Sequence, residues 1–339
     1  MKEIRLISDE LKKKYGQKIY KLSLQSGCTC PNRDGTVGTD GCTFCSEGGS
    51  GDFAAPLSII SEAITPGHTA VMHDTSSASH ETSSGTATSH ETSSGTAALS
   101  LSEQILYARK LVDAKISSKI KPEDRRYIAY FQSFTNTYGD FDTLKALYTD
   151  TINRPEIVIL SIGTRPDCIS DEMLSFLAEL NKIKPVWIEL GLQTIHEETA
   201  KRINRGYPLQ VFEDTYHRLK AAGITVITHV ILGLPGETHE DMYATIRYLA
   251  GLEPVLDGIK LQLLHILKGT RLYDEYLAEP FHIMSLEEYT EVLMNCIRLL
   301  PEDTVIHRLT GDGPKKLLVE PQWSADKKRV LNTIYHAYC

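Results

Sequence analysis

The sequence has no apolar run of the roughly 18 residues that a membrane-crossing helix requires. Residues 1–16, MKEIRLISDELKKKYG, also lack the apolar stretch of a secretory signal, so we expect a cytoplasmic protein with no membrane partner. Cysteine is scarce, with seven residues spread unevenly over 339 positions. In a reducing compartment, cysteines used in this way favour metal binding or catalysis over structural disulfides.

Positive charge is also in short supply, because the formal net charge is −8. This balance argues against a protein coated in positive potential. It does not exclude nucleic-acid binding, since clusters such as Lys12–Lys14 and Lys327–Arg329 offer contacts to phosphates, although most such lysines are solvated surface residues. With 41% hydrophobic residues, the chain is long enough for one large domain or two smaller ones.

Apolar strand-like segments alternate with amphipathic helical segments along most of the chain. Strand patterns occur in KIYKLSLQSG, YIAYFQSF, EIVILSIGTR, VWIELGLQT, ITVITHVILGLPG and GIKLQLLHIL. Helical periodicity occurs in LSEQILYARKLVDAK, FDTLKALYTDTI, DEMLSFLAELNKI, LQVFEDTYHRLKAAG, HEDMYATIRYLAGL and LEEYTEVLMNCIRLL. This alternation predicts an α/β fold, an incomplete (β/α)6 TIM-like barrel with a parallel sheet. An open doubly wound sheet is the alternative, but no Gly-rich dinucleotide fingerprint follows the first strand.

One segment lacks this pattern. Residues 79–98 hold two near-identical ten-residue copies rich in Ser and Thr, SHETSSGTAT and SHETSSGTAA. Such sequence cannot bury enough apolar surface to offset its ordering entropy, so we predict a low-complexity surface insertion at about residues 56–98. The remaining chain divides into a predicted partial barrel over residues 1–310 and a C-terminal extension over residues 311–339, which we expect to contact substrate or a partner.

Three cysteines stand close together in the loop that follows the first predicted strand. Cys30, Cys42 and Cys45 form the pattern C-x11-C-x2-C, and the Gly and Asp residues between them allow the loop to wrap an ion or a cluster. Thiolates are soft ligands that suit zinc or iron–sulfur clusters. A structural zinc site needs a fourth ligand, for which Cys28 is the nearest candidate, whereas a catalytic cluster keeps that position open. The spacing alone leaves both interpretations open.

The segment CPNRDGTVGTDGCTFCSEGGSGDFA resembles the signature of the radical S-adenosylmethionine (SAM) enzymes. Within that superfamily the chain is similar to the YtqA/YhcC-type group, relatives of the catalytic subunit of Elongator, over nearly its whole length outside the insertion. The resemblance implies that Cys30, Cys42 and Cys45 hold a [4Fe-4S] cluster whose fourth iron binds SAM. It also implies cleavage of SAM to a 5′-deoxyadenosyl radical, with flavodoxin or ferredoxin as electron donor.

Further motifs match this family at the predicted strand ends. YFQSFTNTY is typical of the subgroup, although Gln132 and Ser133 replace glycines of other members, and SIGTRPD has Gly163 where relatives carry an acid. INRGY offers an arginine to the SAM carboxylate, and HVILGLPGET resembles the turn that packs against adenine. The residues that the resemblance assigns to the cofactor are Phe44, Gln132, Thr135, Arg165, Gln193, Arg205 and His229.

Relatives of the Elongator catalytic subunit act on tRNA, so the resemblance implies a tRNA substrate that is modified on the side chain of its wobble uridine. Aromatic side chains stack on an extruded base, and cationic side chains contact phosphates. The candidate substrate contacts are Tyr138, Lys268, Arg308 and Trp323, the last of which we expect to be exposed. Two alternatives remain. One is a radical SAM enzyme acting on a small metabolite, which the acidic net charge favours; the other is a non-catalytic zinc or redox-sensing iron–sulfur protein.

Overall fold

Seven parallel strands, side by side in the order in which they occur along the chain, form the main sheet of the computed structural model. The structure describes residues 4–49, 99–311 and 313–338. The strands are β1 (Tyr20–Gln25), β2 (Tyr127–Ser133), β3 (Ile157–Thr164), β4 (Val186–Gln193), β5 (Thr225–Leu232), β6 (Gly258–Leu263) and β8 (Val305–Arg308). Because parallel crossovers are right-handed, this sequential order keeps the connecting helices on one face and curls the sheet into a partial barrel.

Helices connect these strands, and several begin at a side-chain cap. The helices are α1 (Ile7–Tyr15), α2 (Leu101–Asp113), α3 (Phe141–Asn153), α4 (Asp171–Ile183), α5 (Glu197–Arg202), α6 (Leu209–Ala221), α7 (His239–Ala250), α8 (Arg271–Ala278), α9 (Leu286–Leu299) and α10 (Lys327–Tyr338). The side chains of Ser100 and Thr238 form capping boxes at the starts of α2 and α7. Within the described ranges, none of these helices is long and apolar enough to cross a membrane.

The helices and strands bury a continuous apolar core between them. In β4 every residue except Gln193 is buried, and Leu190 and Leu192 have no exposed surface. Leu177 of α4 and Phe212 of α6 are equally inaccessible and belong to the same core cluster. Full burial of one such side chain contributes about 1.5–3 kcal/mol, so this packing holds the strand ends rigidly in place.

The predicted incomplete barrel of βα units is confirmed, with two differences in detail. The segment GIKLQLLHIL is not one strand, because β6 ends at Leu263 and a separate two-residue strand, β7 (Ile266–Leu267), follows. A seventh parallel strand, β8, also joins the sheet by pairing with β6. At four residues, it is too short to produce an apolar pattern in the sequence. The predicted insertion at about residues 56–98 lies outside the described residues.

The C-terminal segment packs back on the barrel. Strand β9 (Leu318–Glu320) pairs antiparallel with β7, and α10 buries Val330 and Ile334 in the core. The expectation that Trp323 is exposed is wrong: its ring packs 5.8 Å from that of Tyr289, and its Nε1 donates to a backbone carbonyl at 3.0 Å. An amphipathic side chain at the edge of an apolar core is half-buried in this way. The division between residues 310 and 311 stays a prediction.

Candidate active site

The loop after β1 brings three cysteines to the wall of one cavity. Cys30, Cys42 and Cys45 line this cavity of about 250 Å³, which lies at the carboxyl ends of the parallel strands. All three thiols are free, and the backbone N–H of Cys45 donates to the carbonyl of Cys42 at 3.0 Å. Cys28 lines a different pocket, together with Cys168. The structure therefore groups the three cysteines of the motif and separates Cys28 from them.

The surroundings of Cys42 favour its thiolate form. A hydrogen bond from the Cys45 thiol, followed by the charge of Arg165, lowers the pKa of Cys42 to about 7. The side-chain amide of Asn32 also donates toward the Cys42 sulfur at 3.8 Å. A thiolate is the form of cysteine that binds metal. The same hydrogen bond raises the pKa of Cys45, so the two side chains share one thiolate and one thiol.

Hydrogen bonds tie the cysteine loop to the segment that follows α5. The Asn32 side chain donates to the carbonyl of Asn204 at 2.5 Å, and the Asn204 side chain donates to the carbonyl of Gly41 at 2.7 Å. Asn204 has a φ of 55°, a left-handed conformation that asparagine tolerates better than most residues. The sequence did not lead us to predict these two hydrogen bonds, because the motif INRGY was interpreted only through its arginine.

Six of the seven residues assigned to the cofactor line the cavity: Phe44, Gln132, Thr135, Arg165, Gln193 and His229. Gln193 ends β4 with a φ of 64°, and its Oε1 accepts a hydrogen bond from the Tyr207 hydroxyl at 3.2 Å. Gly191 makes room for this arrangement, since a Cβ there would lie 2.7 Å from the Gln193 Nε2. The successive strand ends thus deliver these side chains to one place, as parallel strands must.

The Asn of TNTY has a structural role. Asn136 is fully buried, and its Nδ2 donates to the carbonyls of Phe131 at 3.1 Å and Gly163 at 2.8 Å, which belong to adjacent strands. A Cβ at Gly163 would lie 3.3 Å from the carbonyl oxygen of Phe131. The glycine that replaces an acid in SIGTRPD therefore permits close contact between β2 and β3.

The structure does not bring Arg205 to the cavity. Its side chain is 1% exposed, and its guanidinium donates to the carbonyls of Leu192, Thr194 and Tyr207 at 2.6–3.0 Å. Arg165 lies at the cavity wall instead, where Asp167 holds its guanidinium through two hydrogen bonds at 2.9 and 2.7 Å. The donors of Arg205 therefore serve the backbone at the end of β4.

Of the four candidate substrate contacts, Arg308 alone lines this cavity. Tyr138 lines the pocket of Cys28, and its hydroxyl lies 2.8 Å from Thr36 Oγ1. Lys268 is an exposed residue that follows β7, and its backbone N–H donates to Leu317. These residues and Trp323 therefore do not line the cavity with Arg308, and their contact with substrate stays a prediction.

A buried carboxylate joins its own strand, β4, to four other strands at the inner face of the barrel. Glu189 of β4 is 1% exposed, and its oxygens lie 2.6 Å from Lys21 Nζ, 2.9 Å from Ser161 Oγ and 2.9 Å from His229 Nε2. Lys260 Nζ of β6 also donates to this carboxylate. Sequence reasoning missed the network, although a single charged residue inside an otherwise apolar strand is the signal that marks it.

The same network controls the protonation of its members. Burial opposes ionisation of Glu189, but the charges of Lys21 and Lys260 hold the pKa of its carboxyl well below the usual range. Burial, together with the charge of Lys260, lowers the pKa of His229 to about 4. At neutral pH the carboxylate is therefore ionised and the imidazole is neutral.

The cavity's donor set fits an iron–sulfur cluster. Three free thiols on one wall match a cluster that keeps one iron open. In the part of the chain that the structure describes, no three Cys, His, Asp or Glu side chains converge as they would on a single metal ion. A [4Fe-4S] cluster binds each thiolate through a different iron atom, so its ligands need not converge on one point.

Comparison with known proteins gives the same assignment. The sequence profile of the Radical SAM superfamily matches residues 101–249, and that of the Radical_SAM C-terminal domain matches residues 256–338. The chain is 35% identical to YtqA of Bacillus subtilis over 333 residues, 98% of this chain and 88% of that protein. It is 32% identical to YhcC of Escherichia coli over 327 residues, 96% of this chain and 89% of that protein.

The fold also matches that of a solved relative. The structure of Elp3 from the archaeon Methanocaldococcus infernus superposes with a TM-score of 0.54 at 19% identity, over 66% of this chain and 57% of that chain. This chain thus spans little more than half the length of that Elp3 chain, and the likeness concerns the fold. With both bacterial relatives aligned over nearly its whole length, the chain belongs to the radical SAM superfamily, in the YtqA/YhcC group that is related to Elp3 of Elongator.

Proposed function

We propose that the chain is a radical SAM enzyme that binds a [4Fe-4S] cluster through Cys30, Cys42 and Cys45. The observation that carries this proposal is the position of three free thiols on one wall of the cavity that also receives the strand-end side chains. When bound, the reduced cluster supplies the electron that splits SAM and yields a 5′-deoxyadenosyl radical. The chain's own contribution is to hold the cofactors, orient them and exclude water.

Particular side chains suit these tasks. Phe44 packs on an apolar cluster that includes Ile231, next to the cysteines, and offers a flat surface to adenine. Gln193 presents a side-chain amide for hydrogen bonds to ribose from the left-handed turn that ends β4. Arg165, oriented by Asp167, takes the role of carboxylate-binding cation that the sequence had given to Arg205, because its guanidinium reaches the cavity wall.

We further propose that the substrate is tRNA, modified at the wobble uridine side chain in the cytoplasm, with flavodoxin or ferredoxin as reductant. The relationship to Elp3 supports a tRNA substrate. The position of the cavity at the strand ends supports it as well, since a base flipped out of the anticodon loop reaches a pocket there without burial of the whole RNA.

The test begins with anaerobic purification, cluster reconstitution and measurement of iron, sulfide and zinc. Iron and sulfide near four per chain, together with formation of 5′-deoxyadenosine from SAM, are the expected results for a [4Fe-4S] enzyme. Zinc without iron, or a cluster that is inert toward SAM, refutes the proposed chemistry. Mass spectrometry of tRNA nucleosides from cells with and without the gene tests the substrate, and an unchanged wobble uridine profile refutes that part.

A further inference from the structure

An arginine of the cysteine loop lies directly behind the last cysteine of the motif. Arg33 lines the cavity together with Cys30, Cys42 and Cys45. Its Nη2 donates to the carbonyl of Ser46 at 2.6 Å and to that of Cys45 at 3.4 Å, and its Nη1 donates to the next carbonyl, of residue 47, at 3.4 Å. The guanidinium is therefore attached to three consecutive carbonyls that begin at a cysteine of the motif.

Close packing keeps the guanidinium of Arg33 in this position. Its central carbon lies 4.9 Å from the centroid of the Phe134 ring, which is within the range of a cation–π contact. A Cβ at Gly41 would lie 2.9 Å from Arg33 Nε, and a Cβ at Gly49 would lie 2.5 Å from Phe134 Cδ1. Two glycines of the loop thus leave the space that the arginine and the aromatic ring occupy.

The positive charge of Arg33 acts at the cysteine sulfurs. Its carbonyl acceptors are neutral, so they fix the guanidinium without offsetting its charge, whereas Arg165 is held by the carboxylate of Asp167. Because Nη2 lies 3.4 Å from the carbonyl of Cys45, covalent geometry places the charge within about 10 Å of that residue's sulfur. After the hydrogen bond that Cys42 and Cys45 share, the charge of Arg33 is among the further influences on the pKa of both thiols, and it favours each thiolate.

We propose that Arg33 raises the reduction potential of the cluster that Cys30, Cys42 and Cys45 hold. One electron passes from reduced flavodoxin or ferredoxin, which is oxidised, to the cluster, which is reduced and becomes more negative. A fixed positive charge stabilises the more negative form, and nearby charge is one of the factors that set the potentials of such clusters. This inference rests on the proposed function, because it takes the three cysteines to be the ligands of the cluster.

A purely structural role for Arg33 predicts the opposite sign. If the arginine only held the loop in place, its loss would loosen the loop and admit water, which stabilises the more highly charged reduced form and raises the potential. Loss of a positive charge lowers the potential instead. The direction of the shift therefore separates the two roles.

The experiment measures the midpoint potential of the reconstituted cluster in the full chain, without SAM. The protein is titrated anaerobically with titanium(III) citrate, and the reduced cluster is followed by electron paramagnetic resonance after iron and sulfide have been measured. Arg33→Gln removes the charge and keeps a donor amide, whereas Arg33→Lys keeps the charge. Arg298→Gln is the matched control, because Arg298 is exposed on α9, donates to Asn295 at 2.7 Å and does not line the cavity.

The expected result is that Arg33→Gln makes reduction of the cluster about tenfold less favourable or more. For a one-electron couple, that factor is a shift of about 59 mV to more negative potential. Arg33→Lys and Arg298→Gln should stay within about threefold of the wild type. If Arg33→Gln assembles no cluster, Arg33→Lys decides the question, because lysine retains the charge but lacks the forked donors that bind the carbonyls.

An unchanged or less negative potential in Arg33→Gln overturns the inference, and so does an equal shift in Arg298→Gln. Loss of the cluster in Arg33→Lys, or a shift of about tenfold there, overturns it as well, since the forked hydrogen bonds and not the charge would then be decisive. Failure of the proposed function is distinguishable. A wild-type cluster that is inert toward SAM refutes the proposed function alone, whereas zinc without iron in the wild type refutes both.

Discussion

Replacement of Arg205 by glutamine distinguishes a structural role for this arginine from the SAM-binding role that the motif INRGY suggests. The side chain is 1% exposed, and its guanidinium donates to the carbonyls of Leu192 at 3.0 Å, Thr194 at 2.6 Å and Tyr207 at 3.0 Å. Its Nη2 also lies 3.4 Å from the carboxylate of Glu197. Glutamine is shorter and has one amide group, so it cannot replace all of these donors.

The expected cost follows from these contacts. A hydrogen bond from a charged donor contributes roughly 1.5–3 kcal/mol, and a buried carbonyl left without a donor costs about 1–3 kcal/mol. The contributions share one side chain and do not add. We therefore expect Arg205→Gln to lower the free energy of unfolding by about 3–5 kcal/mol. For a protein of this size, that change corresponds to a fall in Tm of roughly 5–10 °C.

Thermal unfolding of the purified variant, followed by circular dichroism, measures the effect. Arg202→Gln is the matched control, because Arg202 is 44% exposed and its ion pair with Glu275 spans 3.9 Å. We expect that control to change stability by less than about 1 kcal/mol. An unchanged Tm for Arg205→Gln combined with weaker SAM binding would refute the structural role and restore the one that the motif suggests.

Three more predictions concern the cysteine loop and the inner face of the barrel. Cys30→Ser should abolish assembly of the reconstituted cluster and Cys28→Ser should not, as measured by iron and sulfide content; loss of iron in Cys28→Ser would contradict the ligand assignment. Asn204→Ala should remove the hydrogen bond to Gly41 and reduce iron content, while the free energy of unfolding falls by no more than about 2 kcal/mol. Full iron content in this variant would show that the hydrogen bond is dispensable for cluster assembly. His229 has a pKa lowered to about 4, below its unfolded value of about 6.5, so its contribution to stability is present above pH 6.5 and is lost as the pH falls toward 4. His229→Gln should flatten this part of the stability-versus-pH curve in urea titrations, and an unchanged slope would exclude His229 as its source.

The alternation of strands and helices was readable from the sequence because burial imposes it. Strands such as β3 and β4 are buried on both faces and appear as near-continuous apolar runs, whereas the helices carry apolar residues at three-to-four spacing. Strand β8 was not predicted, because its four residues, VIHR, are too few to show a periodic apolar pattern. Sequence periodicity therefore identifies the longer elements, which bury much apolar surface. It misses a short strand at the edge of the sheet such as β8.

The candidate site was less predictable, because motifs identify residue types and not the direction of side chains. Arg205 follows Asn204 in one motif, yet its donors turn inward to carbonyl groups while the neighbouring asparagine reaches the cysteine loop. Glu189, Lys21 and Lys260 lie in three different strands, so their contact exists only once the sheet has formed. Each appears in the sequence as one charge in an apolar run, a pattern that is informative only when the three are considered together.

The position of the cysteine loop depends on protein contacts that begin at the end of β4. The guanidinium of Arg205 donates to the carbonyls of Leu192 and Thr194, at the end of this strand. The preceding residue, Asn204, donates from its side chain to the carbonyl of Gly41 at 2.7 Å, and Gly41 comes directly before Cys42. The carbonyl of Asn204 in turn accepts a hydrogen bond from Asn32 on the same loop. Because every bond in this series joins protein groups, the thiols are held near their positions before any metal arrives. It follows that substitutions in the segment after α5 should alter cluster assembly even though none of its residues is a ligand.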